Sequence, residues 1–142
     1  MPEDELRERF LLQGIAAGPA TPEEIDELAH QLGHPLPAAY RAYLRVCGTH
    51  PPRHLMGSHC VIASVLGNNR AANSLFNENN IKQPDKPFVT FLMHQGCFFE
   101  YFLIDGSDDP AVYSYREGDG EVKSSAKRFS EWVSAVPGHL AT

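Results

Sequence analysis

Pro35-Leu36-Pro37-Ala38-Ala39-Tyr40-Arg41-Ala42-Tyr43-Leu44-Arg45-Val46-Cys47-Gly48 is the stretch on which the reading of this chain turns. A proline suited to a helix start, apolar or aromatic residues at Ala39, Tyr40, Tyr43, Leu44 and Cys47, and a closing glycine describe one short amphipathic helix with both ends marked. The residues alone support an α+β domain with no convincing catalytic set.

Working backwards from that stretch, His34-Pro35 forces a short extended link, because the residue before a proline is pushed out of helical geometry. Before it, Thr21-Pro22-Glu23-Glu24 combines a hydroxyl cap, a first-turn proline and a glutamate three residues after the cap, which is the capping-box pattern. Ile25, Leu28, Ala29 and Leu32 continue that helix to Gly33, which can take the left-handed conformation that ends it. Gly14 to Ala20 reads as a connector, and Pro2 to Gln13 as a short helix with Leu6, Phe10 and Leu11 on its apolar stripe and acidic residues at its start.

Working forwards, Thr49 to Met56 has a loop composition and Cys60 to Ala63 reads as a short strand. Ser64 to Asn80 allows a helix through Val65, Leu66, Ala72, Leu75 and Phe76, although Gly67 and six asparagines oppose it by propensity. Those asparagines read either as a recognition face or as a solvated helix face fraying into a loop. Phe88 to Leu92 and Cys97 to Ile104 are strands joined by a tight hairpin at His94-Gln95-Gly96, and the second scarcely alternates, so both its faces should be covered. Ala111 to Arg116 is a third strand, and a register setting Ile104 against Val112 brings Glu100 opposite Arg116 as an ion pair. The last helix, from about Ser125 to Val136, points Phe129, Trp132, Val133 and Val136 inwards and ends at Pro137-Gly138.

Composition limits the function. A chain of 142 residues fits one domain, here 1–142, able to bury about two-thirds of its unfolded surface without staples. Three widely spaced cysteines, Cys47, Cys60 and Cys97, suit buried thiols in a reducing compartment. The acidic start, Met1 to Glu8, does not resemble an export signal, so a cytoplasmic location is expected. No window has the apolar length for a membrane span. A formal charge of −6 argues against a nucleic-acid ligand and is compatible with a basic protein partner.

Cys47, His50, His54, His59, Cys60, His94 and Cys97 are zinc-ligand types, and His94 with Cys97 and Cys47 with His50 have ligand-like spacing, but no paired CxxC accompanies them. Cys60 beside His59, or Cys97 with His94, lacks the third orienting group and oxyanion site that nucleophilic catalysis needs. Glu100 and Asp105, an odd number of residues apart on a strand, point to opposite faces, which opposes a paired acid-base role. Asp105-Gly106 and Gly118-Asp119-Gly120 lack the following helix that a phosphate cradle requires.

The succession of the Thr-Pro-Glu-Glu helix, Leu36-Pro37 with Tyr40, Arg41, Tyr43 and Leu44, an aromatic strand pair ending in Leu103-Ile104-Asp105, then Pro110, Val112 and Tyr113, and a last helix with Phe129 and Trp132 resembles the SUKH superfamily over about residues 21–136. That superfamily includes yeast cell-wall synthesis regulators and bacterial immunity proteins. Cys47-Gly48, where many members carry asparagine-glycine, and Cys97, where a polar residue is usual, depart from its pattern. The resemblance implies an α+β fold with two N-terminal helices and a C-terminal helix on a mainly antiparallel sheet. In it Leu36, Tyr40, Tyr43 and Leu44 seat the second helix, Pro37 fixes its start, and Phe129 and Trp132 anchor the last one. It offers no catalytic residue to carry over, and no cofactor or metal is expected. It implies a protein-binding role, such as an immunity protein that neutralises a basic nuclease-type toxin, while charge and hydropathy give no expectation of a nucleic-acid or membrane partner. The acidic turns Asp105, Asp108, Asp109 and Glu117, Asp119, Glu121 are then the complementary surface, or else merely soluble turns. A regulatory or scaffold domain without a toxin is the alternative, and a small zinc or cysteine-histidine enzyme a third reading.

Overall fold

The motif helix sits where an amphipathic helix must, with its aromatic side against a sheet. In the computed structural model, which describes residues 2–13, 18–50 and 58–140 (the side chains of 136–140 excepted), α3 spans Ala38–Cys47 and buries Tyr40, Tyr43 and Leu44 almost completely. Two helices precede it, α1 (Glu3–Leu12) and α2 (Pro22–Leu32). The strands β1 (Ser58–His59), β2 (Phe88–His94), β3 (Phe98–Leu103), β4 (Val112–Arg116) and β5 (Lys123–Ala126) form one antiparallel sheet in chain order. Helix α4 (Val65–Glu78) lies before β2, and α5 (Phe129–Leu140) follows β5. The class is therefore α+β with the expected C-terminal helix, but among the described residues three α-helices rather than two precede the sheet and a fourth lies between β1 and β2.

The two sheet faces carry separate apolar clusters. On one, Phe102, Val112, Val89, Phe91 and Leu92 meet α1, α2, α3 and α5; on the other, Phe99, Tyr101, Tyr115 and Met93 meet Phe76 of α4. A register irregularity between Thr90 and Leu92 explains how adjacent Phe91 and Leu92 join the same cluster, since a bulge suspends the strict two-residue alternation. Phe91 thereby reaches Trp132 at a ring separation of 4.7 Å and Phe129 at 5.1 Å. Tyr40 packs edge-on against Phe102 at 5.1 Å and Phe129 at 5.5 Å, so α3, β3 and α5 share one aromatic centre. Arg41 and Arg45, on the side of α3 turned from the sheet, reach Glu3 and Asp4 of α1 at 2.7–2.9 Å.

Local signals account for most of the boundaries. Thr21 and Glu24 exchange both capping-box hydrogen bonds, and Gly33 closes α2 at φ 76°. Gly48 ends α3 for a different reason: its φ is −71°, but a Cβ there would stand 2.7 Å from that of Ala20, so the close approach of the connector excludes a side chain. Gln95 and Gly96, at φ 52° and 72°, make the hairpin turn between β2 and β3.

Several expectations are corrected. Leu11 is 43% exposed and does not share the buried stripe of α1, which consists of Leu6 and Phe10. Cys60 to Ala63 is not a strand, because Ile62 donates its N–H to Gly48 O and residues Ile62–Ser64 turn as a 3-10 helix into α4. The last helix begins at Phe129 rather than near Ser125, where β5 pairs with β4, and it continues past Pro137-Gly138. The inward position expected for Val136, and most of the loop expected over Thr49 to Met56, lie outside the described residues.

Candidate functional site

The cysteine-histidine set is dispersed. Cys47 and Cys60 are buried, and burial pushes their thiols up to about 12 and about 11, so both stay protonated at neutral pH. Cys47 Sγ lies 3.6 Å from Tyr43 O, an ordinary back-bond within a helix. His94 Nδ1 meets Ser58 Oγ at 2.9 Å, Cys97 Sγ lies 3.7 Å from His94 O, and His50 Nδ1 meets Thr49 Oγ1 at 3.1 Å. His59 is exposed, and His54 lies outside the described residues. Among the described residues no three His, Cys, Asp or Glu side chains converge as a metal site would require.

Glu100 sits on the central strand, 8% exposed, and its partner is not Arg116. The β3–β4 register is displaced by two residues from the expectation: Phe98 opposes Arg116, Glu100 opposes Ser114, and Phe102 opposes Val112. The displacement preserves the face of every side chain but lengthens the connecting loop. That loop is long because it serves both neighbouring helices, as its contacts below show, while Ile104 donates its N–H to Pro87 O beside β2 instead of pairing with β4. Glu100 accepts hydrogen bonds from Ser125 Oγ at 2.6 Å and Trp132 Nε1 at 3.2 Å, which ties the sheet to α5. Arg116 instead lies over the Phe98 ring at 4.8 Å. Asp105 lies beyond the end of β3 in an exposed turn, so it does not pair with Glu100.

The acidic turns fall into two groups at opposite ends of β4, a five-residue strand spanning roughly 17 Å. In the first, Asp108 O accepts the N–H of Ala39 at 2.9 Å, satisfying an orphan donor of α3. Asp109 accepts from Ser130 N at 2.8 Å and Ser130 Oγ at 2.5 Å, capping the start of α5. Asp105 accepts the Ser107 N–H at 3.0 Å, and the Asp105 and Asp108 residues are exposed. In the second turn Asp119 O accepts the Tyr115 hydroxyl at 2.9 Å and its carboxylate lies 3.8 Å from Lys123 Nζ, whereas Glu117 and Glu121 are exposed. Asp109 thus has a structural use in full, and Asp105, Asp108, Glu117 and Glu121 present their charge to solvent.

The remaining named positions form the interior. Leu36, Tyr40, Tyr43, Leu44, Phe129 and Trp132 are all buried in the main cluster, and Pro37, extended at φ −58° and ψ 145°, stands immediately before the first turn of α3.

A cleft of about 390 Å³ that sequence inspection did not single out runs between α2 and the 3-10 turn leading into α4. Leu28, Ile62 and Leu66 form its apolar floor, and Glu23, Glu27 and Gln31 line its α2 side. The two glutamates stand one helical turn apart, about 6 Å at the helical rise. That i, i+4 acidic spacing was the available signal; apart from Leu28, its apolar complement comes from a segment more than thirty residues away, which no local pattern reveals.

A model of the SMI1 / KNR4 family (SUKH-1) matches residues 19–135, from the connector before α2 into α5, leaving α1 outside. No curated relative matches the chain.

Proposed function

The chain belongs to the SMI1 / KNR4 family (SUKH-1), and from that premise we propose that it is a cytoplasmic immunity protein that binds and neutralises a cognate bacterial toxin. Family membership fits a non-catalytic domain and is the observation that carries the reading. The exposed carboxylates of Asp105, Asp108, Glu117 and Glu121 support a basic partner, because acidic loops on a chain of formal charge −6 steer encounter with a cation-rich surface. The protein acts by occlusion, using no cofactor, metal, nucleic acid or membrane. A regulatory or scaffold role is the second reading, favoured by the yeast cell-wall regulators among the superfamily this chain resembles.

The test is growth of cells expressing the toxin captured with this protein from its native cell, with and without the chain. Restored growth is expected, together with weaker rescue by either Asp105→Lys/Asp108→Lys or Glu117→Lys/Glu121→Lys. A captured partner that is not toxic favours the regulatory reading, and a toxin that binds but kills equally with the chain present overturns the immunity reading.

A further inference from the structure

We propose that the cleft between α2 and the start of α4 is a docking site for an amphipathic basic helix of a partner protein, one that inserts a large apolar side chain and sets lysines or arginines one turn apart along its flank. This assignment is separate from the acidic turns and holds for either binding role.

The chemistry of the two walls specifies the occupant. Ile62 and Leu66 are only partly buried, and with Leu28 they give a floor with no charged group. A Leu or Phe side chain entering it gains about 25 cal/mol for each Å² of apolar surface removed from water. Glu23 and Glu27 are exposed and make no ion pair among the described residues, whereas Glu3 and Asp26 of the neighbouring surface do. Their one-turn spacing matches cations at i, i+4 on a facing helix. Glu24 lines the same cleft and accepts the Thr21 N–H as part of the capping box, so the acidic wall is built on a fixed helix end rather than a loop. No lysine or arginine is among the described residues lining the cleft, so its α2 side stays acidic. Apolar floor and acidic ridge together select a ligand that is both greasy and basic, and reject an acidic or wholly polar one.

The test uses the full chain labelled with nitrogen-15 and a synthetic helical peptide with leucines on one face and lysines flanking them at i, i+4. The expected result is saturable binding with backbone amide shifts concentrated at Glu23–Gln31 and Ile62–Leu66. Binding should weaken about tenfold, equivalent to about 1.4 kcal/mol, in the Glu23→Lys/Glu27→Lys variant. It should also weaken when salt rises from about 0.05 M to about 0.5 M. Ala63→Trp, an exposed substitution that fills the floor, should abolish it while the thermal melt confirms folding. Equal binding of a peptide with glutamate in place of lysine overturns the proposal, as do shifts centred elsewhere or no shifts up to about 1 mM peptide. Self-association abolished both by Leu12→Glu, at the 89% exposed leucine of α1, and by Ala63→Trp in the cleft would assign the cleft to a second copy and also overturns it. The growth assay separates the two readings: intact rescue by Glu23→Lys/Glu27→Lys sinks the cleft as the toxin contact alone, and failed rescue by the unaltered chain sinks the immunity role alone.

Discussion

Asn69 shows how a single polar side chain can stand in for a strand. Its amide donates to Phe88 O at 3.0 Å and accepts from Thr90 N at 2.7 Å, supplying both halves of a ladder along the part of β2 that the two-residue β1 does not reach. Asn68 adds hydrogen bonds to His59 O at 2.8 Å and Thr90 O at 3.2 Å. These bonds explain asparagines that oppose the helix by propensity: the cost in α4 is offset by closing a sheet edge. Asn69→Ala is expected to destabilise the protein by about 1–3 kcal/mol and to speed hydrogen exchange at the Thr90 amide, since it leaves a buried donor unsatisfied. Unchanged exchange there contradicts this role. The buried thiols make a second prediction. Cys47 and Cys60 keep their protons in the folded state to about 12 and about 11, while in the unfolded chain they ionise from about 8.5. Their contribution is fully present below the unfolded value and is lost as pH rises towards the folded values, by up to about 1.4 kcal/mol per pH unit for each thiol. Burial raises Tyr40 and Tyr43 in the same direction and extends the loss further into alkali. Denaturant midpoints should therefore fall between about pH 8 and about pH 10, less steeply in Cys60→Ala, and equal midpoints would contradict the assignment.

At the scale of elements, the chain ties its helices together through the loops between strands. The Asp105–Pro110 turn holds α3 through Asp108 O and α5 through Asp109, so a segment that reads as an acidic surface turn is also a cap for two helices. Asp109→Ala is expected to cost about 1–2 kcal/mol in thermal or denaturant unfolding. Asp105→Ala, an exposed turn position, should stay within about 0.5 kcal/mol. Similar losses for the two would remove the distinction between cap and surface charge. This double use also explains where the sequence misled. The capping box at Thr21, the stop at Gly33, the hairpin at Gln95-Gly96 and the covered strand around Glu100 were all legible, because each is written within a few adjacent residues. The Glu100 partner was not, since it depends on the length of a loop fixed by Ala39 and Ser130, residues on other elements. Strand β5 was missed because Lys123-Ser124-Ser125-Ala126 carries no β-branched or aromatic residue and owes its conformation to pairing with β4. The acidic ridge of the cleft was visible as Glu23 and Glu27, but its apolar floor depends on the approach of Ile62 and Leu66 in three dimensions.

For the whole molecule, the aromatic centre joining α3, β2, β3 and α5 fixes the arrangement on which any binding surface stands. Cys47 and Cys60 are buried, Glu100 bonds Ser125 and Trp132, and Asp109 caps α5. Exposed acidic side chains and a glutamate-lined cleft are set around that frame, and the proposed role uses them as contact surfaces. A binder and a catalyst differ most plainly in stoichiometry, because occlusion consumes one molecule of protector for each molecule of target. The decisive measurement is a titration of the captured toxin's activity with the purified chain. Activity should fall linearly to an end point at about one chain per toxin when concentrations exceed the dissociation constant. Loss of toxin activity at a small fraction of an equivalent, continuing with time, would show turnover and contradict the account.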